Sequence, residues 1–535
     1  MEFFFDMAFS HDIENSEKLF FRSETFFTED DILMTDTVGE VSFDTFFNII
    51  PVDKIIRYTA IRKLFFDIDA IGEYSCSVWQ NDGKKSRMIS DNSSVCIDDL
   101  KEKTGFIYLK INAESKLVVR RISVLCESEV TRKAELCVVM CTYKREDFAV
   151  RNANNIAKSG LFDVIVTDNG KTLTKEMLPY DNIHLVPNEN TGGSGGFGKG
   201  MMTVAEKNKY THFVLMDDDV EISINSLKKA AGFLRFTKEE YKDVSISGTM
   251  FFLDTPCIVY ESGGKFSSDG VQTGCNHLTD TSTTEGLLDV EQPKDINYGG
   301  WWLMCIPVKY VKEGNLPLPF FIKYDDVEYA LRCKLKVITI SGFCVWHERF
   351  ENKYNSAVEY YNIRNYFHLR KITDSSFTKK QAKKIAMIRV IAKCCRQQYN
   401  MATAVIKGYK DYLKGIDYLY QLDGAKNNQD VSSLNYKMLS EDELLKSYGI
   451  SYSEKKEEQA LNAKDNLLKK LTLYGHLLPP FLRSDDYAVT DCFLDKKEMY
   501  FRKKRALHYN KYTKTGYVTK ASLIKFIKCL LFKTE

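Results

Sequence analysis

ELCVVMCTYKRED (residues 135–147), LFDVIVTDNG (161–170), NIHLVPN (182–188) and HFVLMDDDV (212–220) decide the fold. Each contains a short apolar run too continuous for a half-solvated strand, and helix-like or glycine-rich segments lie between them. Buried strands alternating with helices predict βαβ units and an α/β fold with a mostly parallel, Rossmann-like sheet. Ligands of such sheets bind beyond the carboxyl ends of the strands. Here those ends carry Thr142-Tyr143, Asp168-Asn169, Asn188 with Asn190, and Asp217-Asp218-Asp219.

Upstream, residues 1–134 read differently. KLFFRSETFF, EVSFDTFFNII, RKLFFDIDAIG, GFIYLKINA and KLVVRRISVLC are short segments, some partly alternating, separated by turn residues. They predict an N-terminal β-sandwich. Residues 135–372 would form the α/β domain. From residue 373 to 535 apolar residues recur every three or four positions, which predicts a helical C-terminal domain. A length of 535 residues accommodates three such domains.

The composition removes several classes. Lys and Arg total 75 against 73 Asp and Glu, which gives no reason to expect nucleic-acid binding. Fourteen cysteines are spread without a C-x-x-C pair, fitting a reducing cytoplasm better than a disulfide framework or zinc module. The first residues lack the basic region and cleavage site of a signal peptide, and no run reaches the ~18 apolar residues of a membrane span.

Four features carry chemistry. Alternate strand residues share a face, so Asp217 and Asp219 can act together. Paired carboxylates suit Mg²⁺ or Mn²⁺, although a bare acidic triplet is as often a solvated turn. NTGGSGGFGKG (190–200) could line a pyrophosphate or sugar pocket just before a helix, or serve as a plain linker. In FFIKYDDVEYALR (320–332), Asp326 falls at a helix start, where a carboxylate stays ionised and could take a proton from a hydroxyl; a simple helix cap is the commoner role. Trp301-Trp302 after Gly299-Gly300 could stack on a sugar or pack a core. His347, in CVWHE, is a sensible third ligand to a metal, while Arg364 in YYNIRN could meet a phosphate or brace the fold.

In order, CTYKRE, NTGGSGGFGKG, MDDD, GGWW, FIKYDDVEYALR, CVWH and YYNIRN resemble the inverting GT-A glycosyltransferases of family 2. More narrowly, they resemble the bacterial galactofuranosyltransferases that extend galactan chains. The resemblance implies a GT-A catalytic domain and a divalent cation, Mn²⁺ or Mg²⁺, held by Asp217, Asp219 and His347. It places Thr142, Arg145, Asp168, Asn190, Gly193 and Asp218 on the donor side. It assigns Asp326 as general base and Trp301, Trp302, Lys323 and Asp325 to the acceptor and sugar pocket. Lys199 departs from an arginine common in related enzymes, which weakens a phosphate role for it.

The implied reaction moves galactofuranose from UDP-galactofuranose onto a growing cell-surface glycan or lipid-linked acceptor. A rhamnosyltransferase or other hexosyltransferase of polysaccharide synthesis is the near alternative. A sugar-nucleotide pyrophosphorylase would carry its glycine-rich loop directly after the first strand, where CTYKRED stands. A non-catalytic glycan-binding protein would have no use for the acidic residues and His347. Arg502–Lys533 holds ten Lys or Arg and no acidic residue, which suits an anionic membrane surface at the inner face of the cell membrane or is simply an exposed basic face. A homo-oligomer is compatible with the sequence.

Overall fold

A computed structural model describes residues 1–461, 472, 476–491 and 503–531. Its packing divides the chain into two units, residues 1–318 with 326–348, and residues 319–325 with 349–535.

The first unit contains the α/β sheet. Its strands are β1 (Leu136–Thr142), β2 (Asp163–Asp168), β3 (Ile183–Pro187), β4 (His212–Asp217), β5 (Val244–Phe252), β6 (Val259–Ser262), β7 (Leu303–Pro307) and β8 (Lys336–His347). They run in the order β3-β2-β1-β4-β7-β5-β6, and β8 also pairs with β5. The four runs that decided the reading are β1 to β4, all parallel. The expectation of a mostly parallel sheet needs adjusting, because β7 is antiparallel to both β4 and β5, and β6 is antiparallel to β5.

Two antiparallel steps restore the direction, so β5 runs with β4, and β8 runs parallel to β5. The carboxyl ends of β1, β2, β4, β5 and β8 therefore share one rim. Strand order reverses at β1, whose neighbours are β2 and β4, and such a reversal opens a crevice at that rim.

Residues 1–134 form two antiparallel sheets, of six and five strands. Part of their apolar interior is shared with the α/β sheet. Phe47 stacks on Trp346 of β8 (6.0 Å, 18°), and Phe46 meets Phe251 of β5 edge-on at 5.0 Å. The change at Glu135 is thus a change of strand pattern inside one packed unit.

The second unit is helix-rich, with long helices at Ser356–Thr373, Lys379–Cys395 and Tyr399–Leu413. Helix Ser356–Thr373 contains the expected boundary at residue 372, so the division by packing falls earlier. The helical reading of 373–535 needs a sheet added to it. Leu439–Ser440, Thr515–Lys520, Lys503–Asn510 and Ser484–Asp491 make a four-stranded sheet. Lys503–Asn510 and Thr515–Lys520 are a hairpin joined by four residues, with Lys514 at φ 53°. Ala506, Leu507, His508 and Tyr509 are all buried, and that two-sided burial hides the alternation by which a strand is read. Parts of the charged 440–470 and basic 502–533 stretches lie outside the described residues.

Candidate active site

The rim gathers the acidic residues because the strands end there. Asp217 closes β4, opposite Cys141 of β1. His347 closes β8, opposite Phe252 of β5. A backbone bridge between Glu221 and Trp346 (N to O 2.8 and 3.0 Å) clips the chain after the acidic triplet to the residue before His347. Asn152 on helix α1 (Glu146–Lys158) donates to the carbonyls of Asp218 and Val220, both at 2.8 Å, fixing the turn between them.

One ligand atom from each of Asp217, Asp219 and His347 lies within 4.8 Å of the other two. Ligands on opposite sides of a cation at about 2.2 Å stand about 4.4 Å apart, so the set fits one ion. His347 is buried, and its Nδ1 meets the Glu348 carbonyl. A carbonyl can only accept, so Nδ1 carries the hydrogen and Nε2 is the ring atom that could bind a metal. That Nε2 lies 3.3 Å from Asp219 Oδ1. Two hard oxygens and an imidazole suit Mn²⁺ or Mg²⁺.

Arg145 joins the group from the start of α1, its Nη1 2.6 Å from Asp219 Oδ2 and 3.3 Å from Asp218 Oδ1. Burial pushes the Asp218 carboxyl up to about 6, against the Thr142 hydroxyl and the Arg145 charge, which favour its ionised form. Thr142, Arg145 and Asp218 are thus brought together with the three candidate ligands.

Asp168 is also at the rim, and its own loop occupies it. Its carboxylate accepts from the backbone N–H groups of Gly170 (2.9 Å), Thr172 (2.7 Å) and Leu173 (2.8 Å). Asn190 Oδ1 accepts from Gly192 N at 3.2 Å. The glycine-rich run does not precede a helix as expected; it is the first half of helix α2 (Gly192–Glu206), which includes Gly193. A Cβ on Gly196 would stand 2.1 Å from Cys141 Sγ, and one on Gly200 2.3 Å from Val139 Cγ1. These glycines let the helix lie directly on β1.

The two tryptophans separate. Trp301 is buried, edge-on to Phe197 of α2 (5.5 Å) and Tyr329 (5.9 Å) of helix α4 (Asp325–Arg332), where it packs. Trp302 is half-buried and edge-on to Tyr260 at 5.9 Å. Lys323 and Asp325 belong to the second unit. There Lys323 has φ 68°, its carbonyl accepts from Asn365 (2.9 Å), and its Nζ lies 5.1 Å from the Phe350 ring centroid. Arg364 is buried and donates to the Phe320 carbonyl at 2.6 Å, so of its two readings the bracing one describes it.

Asp326 accepts from the backbone N–H of Val327 at 2.8 Å. Its charge bears on a residue that the sequence did not single out. Glu261 of β6 is buried, and burial first, then the Asp326 charge, pushes its carboxyl up to about 8. Tyr298 donates to Glu261 Oε2 at 3.5 Å. At neutral pH the Glu261 carboxyl therefore keeps its proton. A lone glutamate in VYES, before Gly263-Gly264, was the available signal.

The rim thus holds two aspartates and an imidazole within reach of one ion, and residues 137–251, which carry the two aspartates, match the family described as Glycosyl transferase family 2. More particularly, the chain is galactofuranosyltransferase-like. It is 25% identical over 372 residues to galactofuranosyltransferase GlfT2 of Mycolicibacterium smegmatis, covering 62% of this chain and 56% of that one. It is 23% identical over 436 residues to GlfT2 of Mycobacterium tuberculosis, covering 72% and 67%. The chain thus spans little more than half the length of the first of these relatives. Among solved structures, a likeness to a family two carbohydrate esterase from Clostridium thermocellum has 12% identity, 36% coverage of this chain and 74% of that one, and a TM-score of 0.11.

Proposed function

We propose that this chain transfers galactofuranose from UDP-galactofuranose to a hydroxyl of a growing glycan or lipid-linked acceptor, with inversion at the anomeric carbon. The observation that carries the reading is the Asp217, Asp219 and His347 cluster at the carboxyl rim of the sheet. A divalent cation held there would supply charge neutralisation for a leaving nucleoside diphosphate. Arg145 pairs with Asp219 and Asp218 and orients both side chains.

Asp326 accepts the acceptor hydroxyl's proton as that oxygen bonds to the anomeric carbon and the bond to the diphosphate breaks. Glu261, protonated, adds no second negative charge beside Asp326. The half-buried Trp302 offers an aromatic face to the sugar.

A mass-spectrometric assay across a panel of nucleotide sugars tests this. UDP-galactofuranose should give product, and Asp326→Asn should lose at least about a hundredfold in kcat while still binding donor. Product only from a rhamnose or other hexose donor replaces the sugar, and near-normal turnover by Asp326→Asn removes that residue from the role.

We also propose that the C-terminal helix Leu523–Leu530 rests on an anionic membrane at the cytoplasmic face. Ile524, Ile527 and Leu531 are exposed, at 70%, 42% and 64%, among Lys520, Lys525 and Lys528. Each lysine near such a surface contributes about 1 kcal/mol before screening. Among the described residues no helix is long and apolar enough to cross a membrane. The full chain should sediment with liposomes containing anionic lipid and not with neutral ones, and Ile524→Asp with Ile527→Asp should release it. Equal sedimentation with both liposomes, or no release, would overturn the assignment.

A further inference from the structure

Strand β6 carries a bulge beside the candidate site. Met250 is in register with Glu261 and Phe251 with Val259, so Tyr260 is the extra residue of the bulge. Bulges of this kind bend an edge strand and re-aim a side chain. The Tyr260 ring is edge-on to Phe252 (5.5 Å, 77°), to His277 (5.7 Å, 85°) and to Trp302 (5.9 Å, 79°).

This aromatic path begins at the rim, since Phe252 is the register partner of His347, and ends at His277 on the surface. Tyr260 is half-buried. The side chains of Glu261, Asp326 and Tyr260 all act on the Tyr298 phenol, which puts the path within electrostatic reach of the proposed general base. His277 Nδ1 meets the Tyr260 carbonyl at 2.8 Å, so it carries the hydrogen and Nε2 is left as an acceptor for a hydroxyl. Perpendicular aromatic faces with a hydroxyl acceptor beside them match the C–H face and hydroxyl edge of a sugar ring.

We propose that Tyr260, with His277 and Trp302, forms a subsite for the acceptor glycan one sugar beyond the reacting residue, selecting oligosaccharides over short acceptors. The inference rests on the transferase reading and deepens it. Stacking is carried by the ring, so Tyr260→Phe should behave as wild type.

The test compares a galactofuranosyl tetrasaccharide with a methyl galactofuranoside as acceptors for the full chain. Tyr260→Ala should raise the tetrasaccharide KM about tenfold. Its kcat, the monosaccharide KM and the nucleotide-sugar KM should change less than twofold. His277→Ala should shift the tetrasaccharide KM in the same direction, and it serves if Tyr260→Ala does not fold. An unchanged tetrasaccharide KM, or an equal rise for both acceptors, overturns the subsite while leaving the transferase reading intact. Absence of turnover by wild type overturns the transferase reading instead. Saturation-transfer NMR with the tetrasaccharide then decides the subsite: binding lost in Tyr260→Ala supports it, and equal binding overturns it.

Discussion

Asp219 is engaged from two sides, by Arg145 at 2.6 Å on one oxygen and by the His347 ring at 3.3 Å on the other. An aspartate between a fixed cation and an imidazole is placed for a ligand's role, because neither neighbour consumes both of its oxygens. Glu261 shows the opposite economy. Burial raises its carboxyl from an ordinary 4.5 to about 8, so the native state keeps a proton that the unfolded chain releases. Its contribution to stability is therefore full below about pH 4.5, declines as pH rises, and is gone above about 8. Urea unfolding of Glu261→Gln should show a shallower loss of stability between pH 5 and 8 than wild type. Parallel profiles would mean that the native carboxyl titrates as it does in the unfolded chain.

At the scale of elements, the first half of α2 is written for contact. Glycine costs about 1 kcal/mol per residue in a helix relative to alanine, yet α2 carries it at 192, 193, 195, 196, 198 and 200. Helix propensity alone would make Gly200→Ala stabilising. The added Cβ would meet Val139 Cγ1 at 2.3 Å, so the helix must move off β1. We expect a net loss of about 1–3 kcal/mol in urea unfolding, and a more stable Gly200→Ala would contradict the packing role.

The same segment marks what the residues disclosed. β1 to β4 were legible because buried parallel strands leave unbroken apolar runs; Asp217 and His347 were legible because each ends a strand, and Asp219 because it follows in the same acidic triplet. Glu261 and Tyr260 were not. Their placement depends on how a four-residue edge strand pairs with β5, and a bulge is a property of two strands. The C-terminal sheet escaped for a related reason: its hairpin is buried on both faces, so period-2 alternation is absent.

At the scale of the molecule, the first unit is held by a shared interior. Lys229 of helix α3 (Ile224–Arg235) is wholly buried, donates to the Phe47 (2.7 Å) and Ile49 (3.2 Å) carbonyls, and is pushed down to about 7 by burial. Together with the stacking of Phe47 on Trp346, this fastens the N-terminal sheets to the strand that ends in His347. A role for residues 1–134 in keeping that imidazole at the rim follows from the packing.

The reading turns on one cation shared by three side chains. Calorimetric titration of the full chain with Mn²⁺ in the presence of UDP tests it most directly. One ion per chain should bind, and Asp219→Ala and His347→Ala should each weaken it by at least about tenfold. Failure of the wild type to take up the ion, or wild-type affinity in both variants, would contradict the account.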